Sequence, residues 1–242
     1  MLSCRALLAP PLSCSLLPPL SCTTRFCGRL LPCFVSYTGV SQCRPGRPLQ
    51  VRASRVESRS VPLASRAPDF ELPEPLTGKT WKLDDFEGHR ALLIMFICNH
   101  CPFVVHLKME LVKLANTYLP KGVGIIAISA NSVKTHPQDG PDIMAREAEE
   151  LGYPFPYLYD ETQETARAYG AACTPDFFLY KKDGRRPFEL VYHGQFDESR
   201  PGNNRPITGS DLRNALDCVL SGIPVSTVQR PSIGCSIKWH PQ

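Results

Sequence analysis

The sequence predicts an α/β fold in which helices flank a central mixed β-sheet, and three features lead to this prediction. Two continuous apolar runs of strand length, 91–97 and 122–130, are typical of strands buried on both faces. The segment between them has apolar residues three and four positions apart, which indicates a helix and therefore a parallel crossover. Two later apolar runs are separated by a short turn signal, which predicts an antiparallel hairpin.

The elements can be assigned in order along the chain. An N-terminal β-hairpin extension is expected around Trp81. The first long helix begins at Pro102, because a proline in the first turn removes no helical hydrogen bond, and it ends near Pro120. Asp142 is expected to cap a second helix. The remaining predicted elements are a short strand (157–159), a short helix (162–169), the two hairpin strands (177–181 and 189–195) and a last helix (211–220).

Residues 1–60 differ in composition from the rest of the chain. Before Asp69 the sequence has nine Arg, no Lys and one acidic residue, together with many Ser, Pro and Leu. This composition is typical of an organellar transit peptide, and the low amphipathicity favours a chloroplast over a mitochondrion, which is the alternative. Residues 51–54 resemble the processing site of plastid precursors. A secretory signal is disfavoured because Arg recurs as far as Arg59.

We therefore expect a disordered transit peptide at 1–60, a folded domain at 61–222 and a C-terminal tail at 223–242. Proline interrupts the apolar stretches of the first segment, and none reaches the roughly 18 residues that a membrane-spanning helix needs. No membrane span is predicted. Six of the eleven cysteines lie in the first segment and would be removed with it (Cys4, Cys14, Cys22, Cys27, Cys33 and Cys43).

The remaining chain is slightly acidic. The whole chain has 27 basic and 23 acidic residues, so 18 basic and 22 acidic residues remain from Asp69 onward. A solvated acidic surface of this kind does not indicate a nucleic-acid partner. The five remaining cysteines are too few and too unevenly spaced for a disulfide framework, so an ordinary hydrophobic core is expected to hold the domain together.

Two cysteines, Cys98 and Cys101, lie where the first long strand passes into the first long helix. The unpaired N–H groups at a helix N-terminus favour a thiolate, so Cys98 is the predicted nucleophile. Cys101 lies one helical turn further on, where it can attack a mixed disulfide on Cys98 and release the partner. His100 lies between them, and a cation at this position would stabilise the thiolate of Cys98 and make the disulfide more oxidising.

The same spacing of two cysteines is also half of a zinc site. No second ligand pair with matching spacing exists after residue 60, and this favours redox chemistry over metal binding. A metal carrier or metal-binding module that uses Cys98 and Cys101 is kept as an alternative. No organic cofactor is predicted, because the chain has no glycine-rich phosphate loop or dinucleotide-binding motif.

The order of elements, with a cysteine pair at the start of the first long helix, resembles the thioredoxin fold. Thr174 and Pro175 look like the cis-proline loop of that fold. Several segments together resemble a redoxin family within the alkyl hydroperoxide reductase and thiol-specific antioxidant (AhpC/TSA) group, from about Ala67 to Trp239. They are a peroxiredoxin-like N-terminal segment (67–70, 78–79 and 83–88), Cys-Asn-His-Cys-Pro-Phe-Val (98–104), Ala-Cys-Thr-Pro-Asp (172–176), Ser-Arg-Pro-Gly-Asn (199–203) and Gly-Cys-Ser-Ile-Lys-Trp (234–239).

This resemblance implies a thiol–disulfide oxidoreductase whose partners are proteins with thiols or disulfides, or a thiol reductant of the thioredoxin or glutathione type. Thr174 and Pro175 would dock an extended partner chain beside the cysteines. A thiol-dependent peroxidase is the alternative. It is disfavoured because Ala91 and Met95 stand where peroxiredoxins have a proline and a threonine before the reactive cysteine.

Two further cysteines are candidates for a redox role. Cys173 precedes the Thr174-Pro175 loop and is expected near the cysteine pair, while Cys235 lies on a tail that can fold back. Cys218, among apolar residues of the last helix, is expected to be a core residue. The group that accepts the proton of Cys101 is left open between His100 and water, because Leu92 stands where thioredoxin has a buried aspartate.

Overall fold

The structure is a computed structural model that describes residues 55–241. The predictions for the preceding segment, including most of the transit peptide and its six cysteines, lie outside the described residues. The described strands are β1 (Arg55–Glu57), β2 (Glu71–Pro73), β3 (Thr80–Lys82), β4 (Ala91–Phe96), β5 (Val123–Ser129), β6 (Tyr157–Tyr159), β7 (Cys173–Thr174), β8 (Asp176–Lys181), β9 (Glu189–Gly194) and β10 (Ile233–Ser236). The α-helices are α1 (Pro102–Tyr118), α2 (Pro141–Leu151), α3 (Glu164–Tyr169) and α4 (Ser210–Ser221).

A five-stranded mixed sheet forms the centre of the domain, in the order β6-β5-β4-β8-β9. Strand β4 is parallel to β5 and antiparallel to β8, and β8 and β9 form the predicted hairpin. Every residue of β4 and β5 is buried, as their continuous apolar sequences predict. The predicted α/β class with a central mixed sheet is confirmed.

Helices cover this sheet because successive side chains of a buried strand point to opposite faces. Leu93 and Met95 of β4 pack in a cluster with apolar residues of α1, α2 and α4. Leu92 and Ile94 pack on the other side with α3 and with residues that flank the β2–β3 hairpin. The cysteine pair therefore follows a strand that is held on both faces. In residues 55–241, no helix is both long and apolar enough to cross a membrane.

Two helix starts differ from the predicted ones. Gly140 is the N-cap of α2 and Pro141 is its first residue, so Asp142 lies in the first turn rather than at the cap. A carboxylate in the first turn also interacts favourably with the helix dipole, so an acidic residue near a helix start does not distinguish the cap from the first turn. The predicted cap therefore lies two residues after the observed one. Helix α3 begins at Glu164, because Gln163 before it has a left-handed backbone with a φ of 64°.

A second sheet of three short strands was not predicted. Its order is β1-β10-β7, and both pairings are antiparallel. Residues 55–57, expected to belong to a disordered leader, form β1, and part of the expected tail forms β10. The predicted ends of the folded domain, 61 and 222, therefore differ from the structure. The reason is that β1 pairs with β10 near the other end of the described chain, and local sequence patterns carry no signal for such distant contacts.

Candidate active site

The cysteine pair lies at the carboxyl end of β4, at the start of α1. Cys101 is the N-cap of α1 with an extended backbone, and Pro102 is the first helical residue and is exposed. Both thiols are buried, with 1% of Cys98 and none of Cys101 exposed. The junction predicted from the sequence is therefore present, but its sulfur atoms are covered.

Thr174 contacts both members of the pair, as the sequence predicted. Its Oγ1 lies 3.5 Å from the Sγ of Cys98, and its carbonyl oxygen accepts a hydrogen bond of 3.1 Å from the Cys101 thiol. The peptide bond between Thr174 and Pro175 is cis. The backbone that was expected to receive a partner chain is occupied, because Thr174 pairs with Cys235 of β10.

Cys235 is the third thiol of the site. It is buried, and its thiol is a hydrogen-bond partner of Cys101. Cys173 lies on β7 beside Thr174, but its thiol is directed to the carbonyl oxygens of Pro175 and Ser232, at 3.7 and 3.9 Å. Three of the five described cysteines thus lie in one row in the order Cys98, Cys101, Cys235, in which each thiol affects the pKa of its neighbour.

The middle of this row is the best place for a negative charge. Hydrogen bonds from the Cys235 thiol and then the Cys98 thiol lower the pKa of Cys101, and they outweigh the opposing effect of burial. The backbone N–H of Val104 in the first turn of α1 adds to this effect. The pKa of Cys98 is raised by its hydrogen bond to Cys101, by burial and by the charge of Asp139.

This distribution differs from the expectation that Cys98 carries the thiolate. The hydrogen bond to Cys101 and burial also raise the pKa of Cys235. Of the three cysteines, Cys101 therefore ionises most readily, and it donates to the Thr174 carbonyl while it is a neutral thiol. Burial raises the pKa of Cys173 as well, so that cysteine is expected to stay a neutral thiol.

Asp139 organises the backbone of the Cys-Asn-His-Cys loop, and sequence reasoning missed it. Its buried carboxylate accepts hydrogen bonds from the backbone N–H groups of Asn99 and His100, at 2.9 and 3.2 Å. It also accepts hydrogen bonds from His100 Nδ1 at 2.6 Å and from Asn131 Nδ2 at 2.9 Å. Burial opposes ionisation of Asp139, but the hydrogen bonds from His100 and Asn131 hold its pKa below the ordinary value.

The position of Asp139 changes the expected role of His100. The imidazole is directed to the carboxylate, and the ring of His136 stacks on it with the ring centroids 5.1 Å apart. A positive charge on His100 is therefore offset by Asp139. The predicted shift of Cys98 toward the thiolate is not found, because its hydrogen bond to Cys101, its burial and then the charge of the carboxylate raise the pKa of Cys98.

Asn99, the other residue between the cysteines, is also held by buried groups. Its Oδ1 accepts a hydrogen bond of 2.9 Å from the hydroxyl of Tyr157, and its carbonyl accepts one of 2.8 Å from Lys108 Nζ. The amide of Asn99 donates to the carbonyl of Gln138 at 3.0 Å. The two peptide units on either side of Asn99 are thus anchored to the surrounding structure.

One group of potential metal ligands exists among residues 55–241. Single ligand atoms of Cys98, His100 and Asp139 lie within 4.8 Å of one another. This set differs from the predicted alternative, in which Cys98 and Cys101 are the ligands. All four hydrogen bonds of the Asp139 carboxylate are directed to the loop and Asn131, so its oxygens are already used as acceptors. The arrangement fits a structural carboxylate better than a metal ligand.

A polar loop after a buried strand was the signal that could have identified Asp139. The polar segment 131–141 follows β5 in the sequence, and β5 is parallel to β4. The carboxyl ends of parallel neighbours meet at one edge of a sheet, so residues of this loop lie beside the residues that follow β4. The local sequence pattern does not show which polar side chain of this loop faces the cysteines.

Comparison with known proteins decides the family. The model of the AhpC/TSA family matches residues 63–185, which is half of the chain. The chain belongs to the AhpC/TSA family. The family resemblance drawn from the sequence motifs is therefore confirmed, and the match ends before Cys235.

Similar proteins extend this result. A crystal structure of an uncharacterized conserved protein from Geobacillus kaustophilus is 54% identical to this AhpC/TSA-family chain, with a TM-score of 0.75, and the match covers 78% of this chain and 98% of that one. Thiol-disulfide oxidoreductase ResA of Geobacillus thermodenitrificans is 29% identical over 131 residues, which are 53% of this chain and 69% of that protein.

The fold prediction is confirmed by a third similar protein. The thioredoxin domain of a thiol-disulfide oxidoreductase from Bacteroides vulgatus matches 66% of this chain and 99% of its own, with 21% identity and a TM-score of 0.51. At this identity the likeness concerns the fold, which is thioredoxin-like as predicted. The predicted enzyme class is also the class in the names of ResA and of this neighbour.

Proposed function

We propose that this protein is a thiol–disulfide oxidoreductase in which Cys98 forms the mixed disulfide with the partner and Cys101 resolves it. The observation that carries the proposal is the pair of thiols at the junction of β4 and α1, both of which contact Thr174 before the cis peptide bond. Its partners are disulfide-containing proteins or a thiol reductant, because the site holds only thiols as reactive groups.

The shared proton allows Cys98 to attack although its pKa is raised. The Cys98 thiol is hydrogen-bonded to Cys101, so its proton passes to Cys101 as the Cys98 sulfur attacks the partner disulfide. One partner sulfur leaves as a thiolate, and the other is linked to Cys98. Cys101 then gives this proton to the first partner thiolate or to water and attacks the Cys98 sulfur, which releases the second partner thiolate and forms the Cys98–Cys101 disulfide.

Access of the partner requires a local movement. Only 1% of Cys98 is exposed, and the backbone of Thr174 is paired with β10. A partner chain can pair with Thr174 only after β10 has left β7. In the proposed cycle β10 therefore opens, the partner docks at Thr174 and Pro175, and the strand returns after release.

The proposal is tested by trapping the mixed disulfide. A Cys101→Ser variant cannot resolve the intermediate, so it should accumulate covalent complexes with protein partners. A reducing agent should cleave these complexes. Non-reducing electrophoresis of the purified variant after incubation with an oxidised protein substrate measures this. The matched control is Cys218→Ser, a half-buried cysteine of α4 away from the thiol row, which should release its partners as the wild type does.

A Cys98→Ser variant decides the order of the two cysteines. It should trap no partner, because the thiol that makes the first bond is absent. Equal or stronger trapping by Cys98→Ser than by Cys101→Ser would reverse the assigned roles. Two results together would overturn the oxidoreductase proposal. Neither single variant would trap a partner, and the wild type would reduce a disulfide substrate no faster than the mixture without protein.

A plastid location is part of the proposal, and the composition of the leader supports it. Residues 1–54, fused to a fluorescent protein and expressed in plant cells, should direct it to chloroplasts. The fusion ends before Arg55 because that residue begins β1, so a cleavage that keeps the fold has to occur before it. Accumulation of the fusion in mitochondria would support the alternative, and a cytosolic fusion would contradict organellar import.

A further inference from the structure

Strand β10 brings a third thiol to the reactive pair. It is antiparallel to β7, and Cys235 stands directly opposite Thr174 in the register. Thr174 is the residue whose hydroxyl and carbonyl contact Cys98 and Cys101. The pairing therefore places Cys235 beside the pair as a consequence of backbone geometry, and its thiol lowers the pKa of Cys101.

The position of β10 is determined by contacts on both of its edges. β1 pairs with its other edge, so that Arg55 lies opposite Cys235. Gly234 approaches Thr174 so closely that a Cβ at this position would lie 2.0 Å from the Thr174 carbonyl oxygen. After the strand, the backbone N–H of Lys238 donates to Asn131 Oδ1 at 2.8 Å. The C-terminal segment is therefore held by strand pairing on both edges of β10 and by a hydrogen bond after it.

Cys173 lacks these features although it is adjacent to Thr174 in the chain. Its thiol is directed to two backbone carbonyl groups and not to a sulfur atom. The contrast between the two additional cysteines shows that proximity to the loop is not enough. Cys235 alone of the two has a direct thiol partner in the pair.

We infer that Cys235 is a third redox cysteine, which exchanges with the Cys98–Cys101 disulfide to form a Cys101–Cys235 disulfide. This inference rests on the proposed function, because the disulfide of a partner supplies the oxidising equivalents. Through this exchange Cys98, which binds the partner, leaves the disulfide, and Cys235 of strand β10 takes its place.

The exchange step is balanced. The Cys235 sulfur attacks the Cys101 sulfur of the Cys98–Cys101 disulfide, the Cys101–Cys235 bond forms, and the Cys98–Cys101 bond breaks. Cys98 leaves as a thiolate and takes up the proton that Cys235 loses, directly or through water. One disulfide is present before and after the step, so no further oxidant is needed. The result is a free Cys98 in a protein that still holds the disulfide.

Peptide mapping of a Cys98→Ser, Cys218→Ser double variant of the full chain tests the inference. From residue 55 onward, trypsin then yields three peptides with one cysteine each: Cys101 in 91–108, Cys173 in 168–181 and Cys235 in 214–238. Oxidised glutathione in excess is a small disulfide that can react with Cys101 directly, without the docking that a protein partner needs. After this oxidation and alkylation of the free thiols, mass spectrometry should find peptide 91–108 linked to peptide 214–238. The linked species should disappear after reduction.

The outcomes separate this inference from the proposed function. Oxidised protein in which Cys101 carries glutathione or is linked to Cys173, with Cys235 alkylated, would overturn the inference, while trapping by Cys101→Ser would still stand. If the double variant does not fold, the Cys218→Ser single variant is oxidised instead. A mixture of the internal disulfide of peptide 91–108 and its link to 214–238 is then expected, and the internal disulfide alone would contradict the inference.

Discussion

Replacing Gly234 with alanine is expected to destabilise the fold and to expose the buried thiol pair. The added Cβ would lie 2.0 Å from the carbonyl oxygen of Thr174 and 2.6 Å from its carbonyl carbon. Both are backbone atoms of β7, which cannot rotate away as a flexible side chain does. Overpacking of this kind costs about 1–3 kcal/mol, and relief is possible only if β10 moves away from β7.

Two measurements check the effect of Gly234→Ala. Chemical denaturation should show a lower free energy of unfolding, and iodoacetamide should alkylate Cys98 and Cys101 faster than in the wild type. Gly88→Ala is the matched control, since Gly88 is exposed and a Cβ there would meet no atom within 4 Å. Unchanged alkylation together with unchanged stability would show that β10 does not cover the pair in solution.

Replacing Asp139 with asparagine is expected to cost about 2–3 kcal/mol, because hydrogen bonds to a buried carboxylate are stronger than those between neutral groups. The amide keeps the size of the side chain but cannot accept all four hydrogen bonds that the carboxylate receives. Two of these hold the backbone between the cysteines, so disulfide exchange should also slow. Asp142→Asn, an exposed change in the first turn of α2, should affect both properties little.

The stability difference between the wild type and Asp139→Asn should depend on pH in a defined direction. The folded protein lowers the pKa of Asp139, so this carboxylate contributes its full stability above its unfolded pKa of about 4. The contribution is lost as the pH falls through the lower pKa of the folded state. Denaturation curves between about pH 3 and pH 7 should therefore converge at the acidic end. A constant difference across this range would contradict the ionised state of Asp139.

The charge of Asp139 also leads to a prediction about the pKa of Cys98, which can be measured without denaturing the protein. Asp139 raises the pKa of Cys98 through its negative charge. The neutral amide of Asp139→Asn should lower that pKa, and Cys98 should then be alkylated at lower pH than in the wild type. Mass spectrometry of alkylated peptides in a Cys101→Ser background measures Cys98 alone, because peptide 91–108 then has one cysteine.

The sequence by itself determined the elements that depend on local pattern. The continuous apolar runs of β4 and β5 and the helical spacing of α1 each reflect burial that neighbouring residues share. They placed Cys98 and Cys101 at a strand-to-helix junction, and the motifs around them identified the AhpC/TSA family. These predictions succeeded because periodicity and chain order are properties of short segments.

Only the tertiary structure decided which groups surround the sulfur atoms. Asp139 reaches the cysteine loop because β5 is parallel to β4, and Cys235 reaches Cys101 because β10 pairs with β7. The helix N-terminus alone favoured a thiolate on Cys98, whereas the neighbouring thiols lower the pKa of Cys101 and not that of Cys98. Hydrogen bonds and charges act through distance in space, and the residues that supply them here are far apart in the chain.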